Sequence, residues 1–359
     1  MKGYSCRRFV LNDSNSSCGR STAEITIADG ITNGSITTSP EGSCEVGQTV
    51  TVIPDAEEDY VVDKVTYNDG TTEYDITSTR IFTMPKKDVT VNITFRNAFL
   101  SGEFTVAAAD ENGHSKKVRF TNGNLYYHYD LAKEMFIPCI EKNQSDYQSR
   151  QKIYFYFNKT VKDALAAGRS YVDTDAVDGN DKLFCSEGTP LIIDGTSDLF
   201  VLSKVEWSYL LNKSGTSGRD DQNRFAKAKC NNMVGLLIFP DNYTLPADYN
   251  ANGGTGVGII NNKNDNETFP ATNIPDEVWN SMNTAGVVFL PAVGYTSTGQ
   301  NQTGLNAQGL YRSSDAAGTG NTSSWVLLFN GTQINPEFPY YRNEGLSIRL
   351  VQKLPAIPN

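Results

Sequence analysis

Trp325-Val326-Leu327-Leu328-Phe329-Asn330, followed shortly by Glu337-Phe338-Pro339-Tyr340-Tyr341-Arg342-Asn343-Glu344, is the stretch on which the reading of this chain turns. Successive side chains of a strand point to opposite faces. Trp325, Leu327 and Phe329 therefore share one side, Val326, Leu328 and Asn330 the other, and on a sheet with one wet face only one set belongs to the core. The aromatic stretch behind it reads as a loop. Tyr, Phe and Arg on a loop offer large contact area at low entropic cost, the composition of binding surfaces. The same aromatics folded inward would be ordinary core, and composition leaves both readings open.

Outward from that stretch, Leu346-Ser347-Ile348-Arg349-Leu350-Val351 reads as the final strand. Two helices are predicted upstream. Ser203-Lys204-Val205-Glu206 is a capping box, followed by Trp207, Leu210 and Leu211 at i, i+3 and i+4. Pro275-Asp276-Glu277-Val278-Trp279-Asn280-Ser281-Met282-Asn283 opens with proline and carboxylates, and Gly286 lies just beyond it. A buried strand follows each helix, at Val234–Pro240 and Val287–Pro291. Further upstream, Val118-Arg119-Phe120 and Asn124–Tyr127 read as strands around the turn Asn122-Gly123, Lys152–Phe157 as a strand, and Thr160–Gly168 as a short helix. From Ala23 to Asn97 the pattern is all β. Short β-branched runs such as Thr49–Ile53 are cut by turn signals, and Val89, Val91, Ile93 and Phe95 alternate with Thr90, Asn92 and Thr94. Residues 1–22 are Ser/Asn/Arg-rich and read as a tail or linker.

A chain of 359 residues suggests two domains at about 150 residues each. Its boundaries are read as tail 1–22, β module 23–97 and head 98–359. With 31 basic and 41 acidic residues the formal charge is −10, which disfavours nucleic acid and anionic membranes as partners. No apolar run is long enough for a membrane span, and the first residues contain no apolar core of a secretory signal. The chain therefore reads as one that either lost a leader or leaves the cell by another route, such as on a virion.

Catalytic candidates are few. Only His114, in a turn, and His128, in a strand pattern, offer an imidazole, and both read as ordinary. Cys6, Cys18, Cys44, Cys139, Cys185 and Cys230 include no CxxC pair, so neither a zinc knuckle nor a redox motif is indicated. Asp173-Thr174-Asp175-Ala176-Val177-Asp178-Gly179 approaches a calcium loop, with Asp173, Asp175 and Asp178 as its ligands. The spacing is one residue too long for an EF-hand and the closing Glu is missing, so a solvated acidic loop is the reading and no cofactor is expected. Gly253–Gly258 lacks the Lys-Ser/Thr of a phosphate loop. Glu206, Asp220, Asp221 and Asp241 are the carboxylates a glycosidase would draw on, but Glu206 is better explained by its cap.

Two family resemblances add to this. Gly34-Ser35-Ile36, Gly47-Gln48-Thr49-Val50-Thr51-Val52, Val65-Thr66-Tyr67-Asn68 and the ending Met84-Pro85-Lys86-Lys87-Asp88-Val89-Thr90-Val91 resemble the divergent internalin B-repeat, a spacer of bacterial surface proteins. Residues 116–352 carry an ordered series: Val118–Leu125, Phe200–Asn212, Gly235–Tyr243, Ala285–Tyr295, Gly309-Leu310-Tyr311-Arg312-Ser313-Ser314 and Gly345–Val351. That series is similar to the Fibrobacter-type major paralogous domain of gut bacteria, a branch of the C-type lectin fold related to formylglycine-generating enzymes. The resemblance implies an α+β C-type-lectin-like head with two helices, mixed short antiparallel sheets and long loops, behind a small all-β domain. The enzyme branch uses a late cysteine pair, and no cysteine follows Cys230 here. The other branch displays variable residues for ligand binding, including proteins diversified by retroelements in phages and their hosts. By that resemblance Trp325, Leu327, Phe329, Gly345, Ser347 and Arg349 are framework. The display positions are Asp315, Val326, Leu328, Gln333, Glu337, Phe338, Tyr340, Tyr341 and Asn343, with Arg312 where the family usually has Trp. If the framework residues point inward, Val326 and Leu328 must point outward and join the aromatics in one exposed patch. The expectation is a non-enzymatic surface or virion protein binding a protein or glycan ligand. The rivals are a carbohydrate-active or oxidase-like enzyme and a structural adhesin or pilus subunit.

Overall fold

The computed structural model describes residues 21–111, 113–130, 135–145, 191–193, 196–211, 224–244, 255–256, 258–261, 268–296, 302–318, 323–341 and 344–355. The predicted strand at 152–157, the helix at 160–168, the acidic loop with Asp173, Asp175 and Asp178, Asp220, Asp221 and Asn343 lie outside the described residues.

The N-terminal module contains β1 (Thr22–Ile27), β2 (Gly34–Ser39), β3 (Ser43–Glu45), β4 (Thr49–Ala56), β5 (Tyr60–Asn68), β6 (Glu73–Asp75), β7 (Ile81–Thr83) and β8 (Val89–Asn97). They form two sheets, ordered β3-β1-β8-β5-β6 and β2-β4-β7, antiparallel except for the β1–β8 pair. The alternation in β8 explains the sandwich. Val89, Val91 and Ile93 enter a core with Ile36, Val50, Val52, Val65 and Phe82, while Thr90, Asn92 and Thr94 face water. At the predicted turn Asn68-Asp69-Gly70, Gly70 takes a φ of 84° and donates its N–H to Asn68 Oδ1 at 2.7 Å.

The head contains β9 (Phe104–Ala107), β10 (Lys116–Phe120), β11 (Leu125–Asp130), β12 (Met135–Ile140), β13 (Leu191–Ile193), β14 (Thr196–Val201), β15 (Phe225–Cys230) and β16 (Met233–Ile238). These are followed by β17 (Thr255–Gly256), β18 (Ile259–Asn261), β19 (Val288–Pro291), β20 (Tyr295–Thr296), β21 (Gln302–Thr303), β22 (Gln308–Ala316), β23 (Ser323–Asn330), β24 (Ile334–Tyr341) and β25 (Leu350–Lys353). Two helices are described, α1 (Lys204–Leu210) and α2 (Asp276–Thr284). Small antiparallel sheets dominate: β13-β14-β25-β10-β9, β17-β18-β15-β16-β19, β22-β23-β24 and the pairs β11-β12 and β20-β21.

Local chemistry sets the helix ends. Ser203 Oγ accepts from the Glu206 N–H at 3.2 Å while the Glu206 carboxylate accepts from the Ser203 N–H at 2.7 Å, the reciprocal box that the sequence predicts. α2 ends at Gly286, whose φ of 78° lets the Val287 N–H reach back to the Met282 carbonyl at 3.0 Å. A side chain is excluded there for a second reason: a Cβ on Gly286 would lie 2.0 Å from the backbone nitrogen of Gly102.

The strands read on either side of Asn122-Gly123 are present as β10 and β11, although they do not pair with each other: β10 pairs with β9 and β25, and β11 with β12. One sequence expectation is corrected. The last strand begins at Leu350, and the residues before it make isolated bridges, Gly345 to Thr296 and Ser347 to Tyr311. Arg349 explains the interruption. Its buried guanidinium donates to Asn124 Oδ1 at 2.9 Å, to the Thr121 carbonyl at 3.1 Å and to the Phe289 carbonyl at 2.8 Å, so the chain turns inward there to tie three segments together.

Candidate binding face

The sheet β22-β23-β24 decides which residues are available. Leu327 and Phe329 enter the main core with Tyr311, Ile334, Trp207 and Leu290, as the framework reading expects. The opposite set does not face water. Val326 is 0% and Leu328 4% exposed, in a second core with Leu310 and Leu346 that Tyr295, Phe338 and Tyr340 pack against. The outward placement of Val326 and Leu328 is therefore corrected. The segment before β25 comes back along β22, with the Arg312 N–H donating to the Ser347 carbonyl and the Ser347 N–H to the Leu310 carbonyl, and brings Leu346 over the second face. Burying each of these side chains contributes roughly 1.5–3 kcal/mol, which outweighs any role as exposed contacts.

Arg312 is also removed from the surface. It is fully buried, and its guanidinium donates to Ser324 Oγ, to the Tyr341 carbonyl at 2.8 Å and to the Glu344 carbonyl at 2.7 Å. It ties Tyr341, the last residue of β24, to Glu344. Asp315 is half-buried and accepts the N–H of Lys204, the first residue of α1, at 2.5 Å. Burial pushes its carboxyl above the ordinary aspartate range, with the Lys204 N–H bond opposing. Glu337 packs on α1, accepting from Ser208 Oγ at 3.1 Å, with Lys204 Nζ at 3.9 Å. Gln333 sits in the β23–β24 turn, its N–H bonded to Asn330 Oδ1 at 3.0 Å. That turn is a strand length, on the order of 20 Å, from Tyr341 at the other end of β24.

What remains together is the C-terminal end of β24. Register pairs Trp325 with Pro339 and Ser323 with Tyr341 on one face, and Val326 with Phe338 and Ser324 with Tyr340 on the other. Tyr341 is 62% exposed, Pro339 is exposed, and Trp325 is half-buried under the Lys204 ammonium, 4.6 Å from its ring centre. On the opposite face, half-buried Phe338 and Tyr340 meet Tyr295, with Tyr340 and Tyr295 ring centres 5.4 Å apart. Burial and the hydrogen bond to Tyr295 push the Tyr340 hydroxyl well above its ordinary value, so it stays protonated and able to donate. The result is an aromatic ridge with apolar side chains on both flanks.

β24 is the edge of its sheet, pairing with β23 alone among the described strands, and it carries Pro336 and Pro339. Each proline removes a backbone donor, which disfavours pairing with another strand. Side chains are what this edge offers a partner. Tyr295 and Pro339 are not among the sequence candidates, and the framework reading of Trp325 is corrected, since it is half-buried on this ridge and does not join Leu327 and Phe329 in the main core. For Trp325 and Pro339 the signal is register, since the pairing of β23 with β24 sets them on the Tyr341 face, whereas Tyr295 comes from β20 and meets Tyr340 only through the fold.

The other candidate chemistries are otherwise engaged. Glu206 is spent on its cap and an ion pair with Lys116, and Asp241 accepts the Thr105 N–H at 3.0 Å and its hydroxyl at 2.6 Å. Cys44, Cys139 and Cys230 are free thiols, and burial pushes the Cys230 thiol far above neutral pH, where it is a poor nucleophile. Among the described residues, no three His, Cys, Asp or Glu side chains gather as a metal site, and no helix is long and apolar enough to cross a membrane. A cleft of about 360 Å³ between the module and the head is lined by Asp63, Asp75, Arg96, Tyr126 and Lys142. Its carboxylates are occupied, Asp63 by Lys142 at 2.6 Å and Asp75 by the Thr77 hydroxyl at 2.6 Å.

Comparison with known proteins identifies one segment. Residues 24–98 match the family model of the divergent InlB B-repeat domain, so the N-terminal module is a B-repeat of that type. No curated protein and no solved structure matches the chain.

Proposed function

We propose that this chain is a non-enzymatic binding protein of the bacterial surface or of a virion, in which a B-repeat carries a C-type-lectin-like head that grips a protein ligand with the ridge at the end of β24. One observation carries the reading. Tyr341, 62% exposed, stands beside exposed Pro339 and half-buried Trp325, with Phe338 and Tyr340 on the opposite flank. A tyrosine-rich ridge on a rigid sheet is the composition of an interface anchor, where a few aromatic residues supply most of the affinity. A retroelement-diversified face is consistent with this reading, with its contact positions now centred on Phe338, Pro339, Tyr340 and Tyr341 in place of Val326 and Leu328.

The test uses the intact chain, fluorescently labelled, on whole bacterial cells. Binding should fall about tenfold or more for Tyr341→Ala with the melting temperature unchanged, and should be lost when the cells are treated with protease. Binding lost on periodate oxidation but retained after protease would assign a glycan ligand. Binding equal for Tyr341→Ala, Phe338→Ala and the parent chain would remove the ridge as the contact.

A further inference from the structure

Strand alternation in β5 sets up a discrepancy. Val62 and Val65 belong to the module's own core, and Val61, the neighbour of Val62, must face away from it. On a freely tethered spacer Val61 would be wet. It is 1% exposed, because it completes a core of the head with Phe99, Leu125, Ile140, Leu199, Ile348 and Leu350. The register shift between Val62 and Lys64 in the β5–β8 pairing is a β-bulge at this point, a device that re-aims side chains.

Polar contacts close around that apolar plug. The Ala98 N–H donates to the Asp59 carbonyl at 2.7 Å, and the Asn122 N–H to the Ala98 carbonyl at 2.8 Å, so the connecting residues are hydrogen-bonded to both parts. Arg119 lies over the Phe99 ring at 4.5 Å, pairs with the Asp59 carboxylate and donates Nε to Gln352 Oε1 at 2.8 Å. One guanidinium thus joins the module, the connection and the C-terminal strand β25. Lys142 meets Asp63 at 2.6 Å, and Arg96 donates to the Ile140 carbonyl at 2.5 Å.

We infer that the B-repeat is docked on the head as an integral part of it: Val61 closes the head's core and Arg119 latches the module to β25, so the two unfold as one cooperative unit and the module fixes the direction in which the head points. The buried apolar contact makes the docking stable, and the ion pairs around it set its angle.

Hydrogen exchange by mass spectrometry on the full chain in increasing urea tests this. Peptides from β5 and β8 and peptides from β10 and β25 should lose protection through the same opening, with one shared urea dependence. Val61→Asp should lower protection of β10 and β25 at least tenfold, although it alters only the module. If that variant fails to fold, Val61→Thr, which keeps the shape, should lower it in the same direction by a smaller factor. An opening of β5 and β8 at lower urea that leaves β10 and β25 protected, or unchanged protection of β25 in the Val61 variants, would overturn the inference. Neither result depends on what the ridge binds.

Discussion

Two strands, β8 in the module and β23 in the head, have opposite surroundings. In β8 one parity is buried and the other is wet, so Val89, Val91 and Ile93 identify the core side without help. In β23 both parities are buried, Leu327 and Phe329 under one layer and Val326 and Leu328 under another. Alternation in a sequence says that two faces exist. Whether the second face meets water depends on what the rest of the chain lays across it, and here the segment around Leu346 does so.

The sharpest way to test that contrast is a charge on the second face of each strand. Val326→Asp buries an unpaired carboxylate and should cost several kcal/mol, roughly 3–5, whereas Thr90→Asp on the wet face of β8 should stay within about 0.5 kcal/mol. Urea unfolding of both variants measures the difference, and equal midpoints would mean that the second core of the head is not closed. Next in size is Leu328→Ala, expected to cost about 2–4 kcal/mol through the cavity it leaves.

Glycine separates the two regions by a smaller margin. Gly70 and Gly286 both have positive φ, but nothing lies within 4 Å of a Cβ on Gly70, while one on Gly286 meets the Gly102 backbone. Gly70→Ala should cost roughly 1 kcal/mol of backbone strain. Gly286→Ala should cost clearly more, because backbone must move as well, and thermal unfolding would rank the two.

The smallest effect is in pH dependence, where the regions differ in sign. Asp69, in the module's turn, accepts from Thr71 and Thr72 and is held down at about 2. A depressed folded value means that its stabilisation is present above the unfolded value, near 3.9, and is lost as pH falls through about 2. Asp315 has a raised folded value, so its contribution is full below the unfolded value and is lost as pH rises through the folded one. Asp69→Asn should flatten the acid limb of the stability curve. Asp315→Asn, which can still accept the Lys204 N–H, should be at least as stable as the parent at pH 7. A parent more stable than Asp315→Asn at pH 7 would contradict the burial assigned to that carboxyl.

Much of the fold was legible where the determinants are local. The capping box at Ser203, the glycine stop at Gly286 and the β8 alternation each involve residues within a few positions of one another, and each is present. The binding face was legible in part. Tyr340 and Tyr341 stand out by composition, but the burial of Arg312 and the flanking of Tyr340 by Tyr295 follow from contacts between distant segments, which no short window encodes. Gln333 and Tyr341 are near in sequence yet sit at opposite ends of one strand, since an extended chain carries neighbours apart.

The Arg312 guanidinium grips the Tyr341 and Glu344 carbonyls, and all twenty amino acids own a carbonyl. The anchor is therefore blind to which side chains the gripped positions bear. Tyr341 and Glu344 can be rewritten by mutation without loosening this hold, so new specificities can be tried there at little cost to the scaffold beneath.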